Sequence, residues 1–168
     1  LPTVFMPCWS ILVRRGALKS WETALILSAS SGVGTAGIQV AKNVIGAKVI
    51  TTTSSEEKAA KAKALGADEV INYNNEDIVE RVKELTEGRG VDVVLDHVGA
   101  EFWPAVTASL ARGGRHGICG VTTGYKAELQ MGALFSSYHT VFGVFMGRKE
   151  DLRQILDRAA SGVIKGII

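Results

Sequence analysis

Ser28-Ala29-Ser30-Ser31-Gly32-Val33-Gly34-Thr35-Ala36-Gly37 is the stretch on which the fold turns. An apolar run, Ala24-Leu25-Ile26-Leu27, precedes it, and Ile38-Gln39-Val40-Ala41-Lys42 follows. The order predicts strand, glycine turn and helix, with Gly32, Gly34 and Gly37 in G-x-G-x-x-G spacing. In such a unit the first glycine turns the chain, the second lets the backbone approach a pyrophosphate, and the third lets helix and strand pack closely. Gly32, Val33 and Gly34 then carry the first N–H groups of the helix, which with the helix dipole favour phosphate oxygens.

Outward from this turn, apolar runs alternate with helical patterns. Strands are predicted at Ala24–Ser28, Lys48–Thr53, Glu69–Asn72, Val91–Asp96, Gly114–Cys119 and Val141–Met146. Helices are predicted at Val33–Ile45, Glu56–Leu65, Glu76–Glu87, Phe102–Ala111 and Lys149–Ala160. Val91-Asp92-Val93-Val94-Leu95 is nearly all apolar, as in a parallel strand covered on both faces. Alternation of this kind gives an α/β fold: a doubly wound, parallel six-stranded sheet (Rossmann fold) in a single three-layer domain. The expected strand order is 3-2-1-4-5-6, with ligand at the switch between the first and fourth strands.

Local signals fix several boundaries. Ser54 and Glu57 form a capping box, with Ser54 as the cap. Gly66 and Gly88 stand where left-handed helix ends are expected. In the last helix Leu152, Ile155, Leu156 and Ala159 share a face that should dock on the sheet. The segment 1–22 reads as a helical lead-in to the domain at 23–168, with Pro7 starting or breaking its helix.

Composition excludes several functions. The 168 residues carry a net charge of +2, too little for nucleic acid as partner. No apolar run reaches the length of a membrane span. Cys8 and Cys119 form no C-x-x-C, and with His97, His116 and His139 they lack zinc-ligand spacing, so no metal site is expected from this chain alone. Few cysteines and a nucleotide motif fit the cytoplasm. Tyr73, Tyr125 and Tyr138 have no lysine four positions on, which argues against a short-chain dehydrogenase. The hydroxyl-rich Thr51–Thr53 argues against a methyltransferase, whose second strand usually ends in an acid.

Four stretches together carry a family likeness: Ser31–Lys42, Leu65-Gly66-Ala67-Asp68-Glu69-Val70-Ile71-Asn72-Tyr73, Gly88–Asp96 and Gly113-Gly114-Arg115. Over nearly its whole length the chain resembles the nucleotide-binding domain of the medium-chain dehydrogenase/reductase family, in its alcohol dehydrogenase and quinone oxidoreductase-like branch. The resemblance implies an NAD(P)-dependent oxidoreductase that moves a hydride between nicotinamide and an alcohol, carbonyl or quinone-like substrate. It also implies a separate catalytic domain, to which nothing here corresponds. The chain is therefore expected to bind cofactor without catalysing on its own, and no catalytic residue is assigned. His97 stands as an acid–base candidate against a supporting role, and Cys119 reads as a small buried residue. His116 reads as structural and His139 as surface. The competing reading is a surface-altered scaffold that self-associates and has no enzymatic role.

The cofactor is read as NADP, with NAD second. No acid stands at the end of the second strand to hold ribose hydroxyls. Thr52, Thr53 and Ser54 leave room for a 2′-phosphate, and Lys58 one turn on can neutralise it. At the nicotinamide end, backbone groups of Val98, Gly120 and Val121 are expected to hold the carboxamide.

The chain departs from the family pattern at Lys19-Ser20-Trp21-Glu22, at Met6-Pro7-Cys8-Trp9, at His116-Gly117-Ile118 and at Val144-Phe145. Trp21, Phe145 and Trp9 are expected at exposed places. A homodimer through paired sixth strands is expected, strengthened by the apolar Val144-Phe145.

Overall fold

The computed structural model describes residues 1–167. Six parallel strands form one sheet in the order β3-β2-β1-β4-β5-β6: β1 Thr23–Ile26, β2 Lys48–Thr53, β3 Glu69–Asn72, β4 Val91–Asp96, β5 Leu110–Ile118 and β6 Thr140–Gly143. Helices α1 Pro2–Trp9, α2 Gly32–Gln39, α3 Glu56–Ala64, α4 Ile78–Leu85, α5 Trp103–Ser109, α6 Met131–Ser136 and α7 Lys149–Ala160 complete it. This is the doubly wound α/β architecture expected. Wider π-helical turns extend α1 through Ser10–Arg15 and α2 through Val40–Ile45; the first ends on a bond from Gly16 N–H to the Ile11 carbonyl at 2.7 Å.

The central strands explain the layering. Ala24 pairs with Val49 on one side and Val93 on the other. Side chains alternate, so Ala24, Ile26, Val93 and Leu95 face α1, α2 and α7, whereas Leu25, Leu27 and Val94 face α4 and α5. Both faces are buried, which is why these strands read as continuous apolar runs. The chain leaves β1 toward β2 and returns to its other side at β4, so the loops after β1 and β4 diverge around a crevice.

The lead-in segment is built into this core. Phe5, Cys8, Trp9, Ile11 and Leu12 are buried, Trp9 at 3% exposure rather than at the surface as expected. Ile11 seats on Gly117 of β5, where an added Cβ would meet Ile11 and Phe142 within 3.0 Å. That close fit accounts for the glycine that interrupts the fifth strand's apolar run.

Several boundaries move. Pro7 lies inside α1 instead of starting or breaking it. Only the bond to the exposed Thr3 carbonyl is forfeited, and burial of the surrounding side chains outweighs it. Ser55, not Ser54, caps α3, its hydroxyl accepting from Lys58 N–H at 3.4 Å. Gly66 and Gly88 do adopt positive φ, at +113° and +81°. α5 stops at Ser109 because β5 begins at Leu110, with a register shift opposite Val91 and Val93. β6 ends at Gly143, before Val144-Phe145-Met146, and α6 has no buried residue and so left no apolar periodicity to read. In α7 Ile155 is buried but Leu156 is half exposed, so the docking face is narrower than expected. His139 is half-buried rather than a surface residue.

Candidate functional site

The site begins at the turn after β1. Ser28 adopts a left-handed conformation, φ +55°, and makes the sharp bend assigned to Gly32. Thr52 holds that bend from the neighbouring strand: its hydroxyl accepts from Ser28 N–H at 2.9 Å and its carbonyl from Ala29 N–H at 2.8 Å. Ser31 is the N-cap of α2, and Gly32 is the first helical residue. Gly34 is needed for a reason other than ligand approach, because an added Cβ would collide with the Ser28 carbonyl. Gly37 does what its position suggested, with an added Cβ 3.1 Å from Ile26 and 3.2 Å from Leu95.

The capping network settles which donors remain for an anion. Ser31 Oγ accepts from Gly34 N–H at 2.8 Å and donates to the Ser28 carbonyl at 2.9 Å. Its single proton is thereby used, so His97 Nε2, 2.8 Å away, donates to the same oxygen. Thr35 N–H bonds the Ser31 carbonyl. The N–H groups of Gly32 and Val33 are left at the start of the helix without intrahelical partners. Burial pushes the His97 imidazole below its ordinary value, against the pull of the Asp96 carboxylate. A neutral His97 bridging the loops after β1 and β4 is a positioning element across the crevice.

A cleft of about 540 Å³ continues from the start of α2 to α3, lined by Ser30, Gly32, Thr35, Glu57, Lys58 and Lys61 among others. Lys58 Nζ donates to Ser54 Oγ at 3.2 Å, so these two predicted residues do come together. Glu57, expected to complete a capping box with Ser54, faces the cleft instead; Lys61 holds its carboxylate at 2.7 Å and pulls it below the usual carboxylate range. Thr53 Oγ1 is buried without a partner, an orphaned hydroxyl at the end of β2. Thr52, 1% exposed, serves the turn and offers no hydroxyl to the cleft.

On the other side of the crevice, Asp96 ends β4 with its carboxylate fully buried. Oδ1 accepts from Val98 N–H at 2.7 Å and Gly99 N–H at 3.0 Å, and Oδ2 lies 2.9 Å from His116 Nε2. The Val98 carbonyl in turn accepts from Thr123 N–H and Oγ1, at 2.9 and 2.8 Å. Both backbone groups of Val98, expected at the carboxamide, are engaged in these internal bonds. Gly120 lies so close to His97 that a Cβ would meet its carbonyl at 2.7 Å. Val121 lines a pocket of about 230 Å³ with Asp96, Gly99 and Trp103. Burial raises the Cys119 thiol to about 12 and holds the Cys8 thiol well above its ordinary value, so neither is a nucleophile.

Two N–H donors on a helix end, an orphaned threonine hydroxyl and a lysine-bearing cleft fit a dinucleotide laid across the switch point. Among the described residues no three His, Cys, Asp or Glu side chains come together as metal ligands. No helix among the described residues is long and apolar enough to cross a membrane.

Comparison with known proteins agrees. The sequence profile of the zinc-binding dehydrogenase family matches residues 32–161. Quinone oxidoreductase of Salmonella typhimurium is 39% identical, over 88% of this chain and 48% of its own length. A crystal structure of an NAD-dependent alcohol dehydrogenase superposes with a TM-score of 0.92 at 38% identity, covering 98% of this chain and 48% of that one. Escherichia coli quinone oxidoreductase, solved in complex with NADPH, superposes with a TM-score of 0.85 at 32% identity, covering 99% of this chain and 54% of that one. The chain spans about half the length of these relatives. With fold, crevice and profile in agreement, the chain belongs to the medium-chain dehydrogenase/reductase family, as its nucleotide-binding domain.

Proposed function

We propose that the chain binds NADP(H) in preference to NAD(H) and furnishes the cofactor-holding half of a hydride-transferring oxidoreductase. The carrying observation is the cleft beside α3. Its one acid, Glu57, is neutralised by Lys61, whereas Lys58 bonds only the Ser54 hydroxyl and keeps its charge for a 2′-phosphate. The pyrophosphate belongs at Gly32 and Val33 N–H, the adenosine ribose beside Thr53 and Ser54, and the nicotinamide near Gly120 and Val121. The bound dinucleotide supplies or accepts a hydride; the chain's residues bind it, orient it and cover one side. The substrate is an alcohol, carbonyl or quinone-type compound, and catalysis waits on groups that hold it against the ring and exclude water. A cytoplasmic setting, with both thiols free, completes this reading.

Nicotinamide fluorescence during titration tests it. NADPH should bind about tenfold more tightly than NADH, the value of one charge-assisted contact. No binding of either at millimolar concentration would overturn the cofactor reading. Self-association through β6 is part of the proposal: β6 is an edge strand, and Phe145 just beyond it is 94% exposed. Should the dinucleotide fail to bind, that apolar edge favours the self-associating scaffold instead.

A further inference from the structure

His116 is fully buried on β5, in a place where the flanking strand positions are apolar. A polar ring in such a place is costly unless it is used. Its Nε2 lies 2.9 Å from Asp96 Oδ2, and the Trp103 ring lies against it at 5.1 Å between centroids. Its Nδ1 has no partner, so the ring is kept in the interior by one polar contact alone. Asp96 spends its other oxygen on the N–H groups of Val98 and Gly99. Gly99 sits at φ +92°, where a Cβ would meet the Gly124 carbonyl and Val121 at 2.9 Å. The loop after β4 is thus held against the loop after β5 directly, by Thr123 on the Val98 carbonyl, while its own turn at Val98 and Gly99 is held to β5 through one carboxylate.

From this we infer that His116 is a positioning residue for the nicotinamide end of the site. It holds the Asp96 carboxylate in the rotamer that takes both loop N–H groups, and so fixes the surface formed by Gly99, Gly120 and Val121. A hydrogen-bonded partner on one carboxylate oxygen removes the rotational freedom of the other. The consequence for cofactor rests on the dinucleotide reading above. The locking of the loop does not.

The test separates the two. His116→Leu removes the donor to Asp96, while His116→Gln keeps an amide N–H able to reach it. Amide exchange at Val98 and Gly99, followed by NMR, should quicken about tenfold or more in His116→Leu and stay near the original rate in His116→Gln. Exchange at Leu25 and Ile50, in β1 and β2, should hold constant in both. Should His116→Leu fail to fold, His116→Met offers an unbranched apolar ring substitute for the same comparison. Equal protection of Val98 and Gly99 in all variants overturns the inference. In a second arm, the leucine variant should lose about tenfold in affinity for NADPH and less than about twofold for 2′,5′-ADP, which lacks the nicotinamide. Equal losses for both ligands would refute a local effect. A parent chain that binds neither ligand refutes the dinucleotide reading and leaves the exchange result standing.

Discussion

Replacing Gly34 with alanine separates two explanations for a glycine in this motif. If its smallness serves a ligand, the substitution should spare the free protein. The structure demands the opposite: the new Cβ would collide with the Ser28 carbonyl oxygen, lie 2.8 Å from its carbon and 3.1 Å from the Ala29 carbonyl carbon. All three are backbone atoms of a turn that Thr52 pins in place, so the turn itself must shift. Overpacking that moves backbone costs about 3 kcal/mol, and the helical preference of alanine over glycine returns about 1 kcal/mol. The net loss of about 2 kcal/mol lowers Tm by about 4–8 °C in a domain of this size. Two controls set the scale. Gly37→Ala meets the Ile26 Cγ2 and Leu95 Cδ1 methyls at 3.1 and 3.2 Å, side chains rather than backbone, and should cost less than Gly34→Ala. Gly132→Ala in α6 meets nothing within 4 Å and should be neutral or slightly stabilising. Urea denaturation without ligand measures all three, and Gly34→Ala unfolding within about 0.5 kcal/mol of the parent would falsify the steric account.

Four further outcomes are expected. Lys58→Ala should weaken NADPH about tenfold and NADH less than about twofold, by fluorescence titration; equal losses would remove Lys58 from the 2′-phosphate. His97 has a depressed folded-state value, so the unfolded chain binds more protons once pH falls below about 6.5, and stability declines there. His97→Gln should flatten that slope below about pH 6.5 in urea midpoints, and an unchanged slope would place the titration elsewhere. With the thiol of Cys119 at about 12, iodoacetamide at pH 8 should leave the folded chain unmodified by mass, whereas rapid labelling would show an opened core. Phe145→Ser should reduce any self-association seen by sedimentation, and an unaltered oligomer would exclude the edge beyond β6.

The order of the sheet was legible because alternating apolar runs and helical patterns leave few ways to wind a parallel sheet. The glycine motif was legible as a motif but not in its parts. Counting glycines placed the bend at Gly32, whereas Ser28 makes it with help from Thr52, a bond across twenty-four positions that no local pattern records. Val98 was chosen for a backbone whose hydrogen bonds the sequence could not show to be taken by Asp96 and Thr123. Lys58 and Ser54 were found together because Ser54 immediately precedes the cap of α3 and Lys58 stands in its first turn, within reach of a lysine side chain. Glu57 and Lys61 were overlooked as cleft residues, since the width of the cleft depends on where α2 lies relative to α3. The Ser31–His97 bridge joins two loops that meet only after the sheet forms.

The seat of Ile11 on Gly117 also sets a timetable. About a hundred residues separate the two, and at the usual pace of synthesis the second follows the first by roughly 5–20 seconds. During that interval a helix bearing Phe5, Trp9, Ile11 and Leu12, all buried in the folded chain, is without the β5 part of its covering surface. The β1–β2–β3 half can assemble in the meantime and offer α1 the surface of α2, but the seat of Ile11 cannot form until β5 arrives. A chain in synthesis therefore passes through a period in which this apolar segment lacks its seat on β5, which is where a chaperone would find its hold.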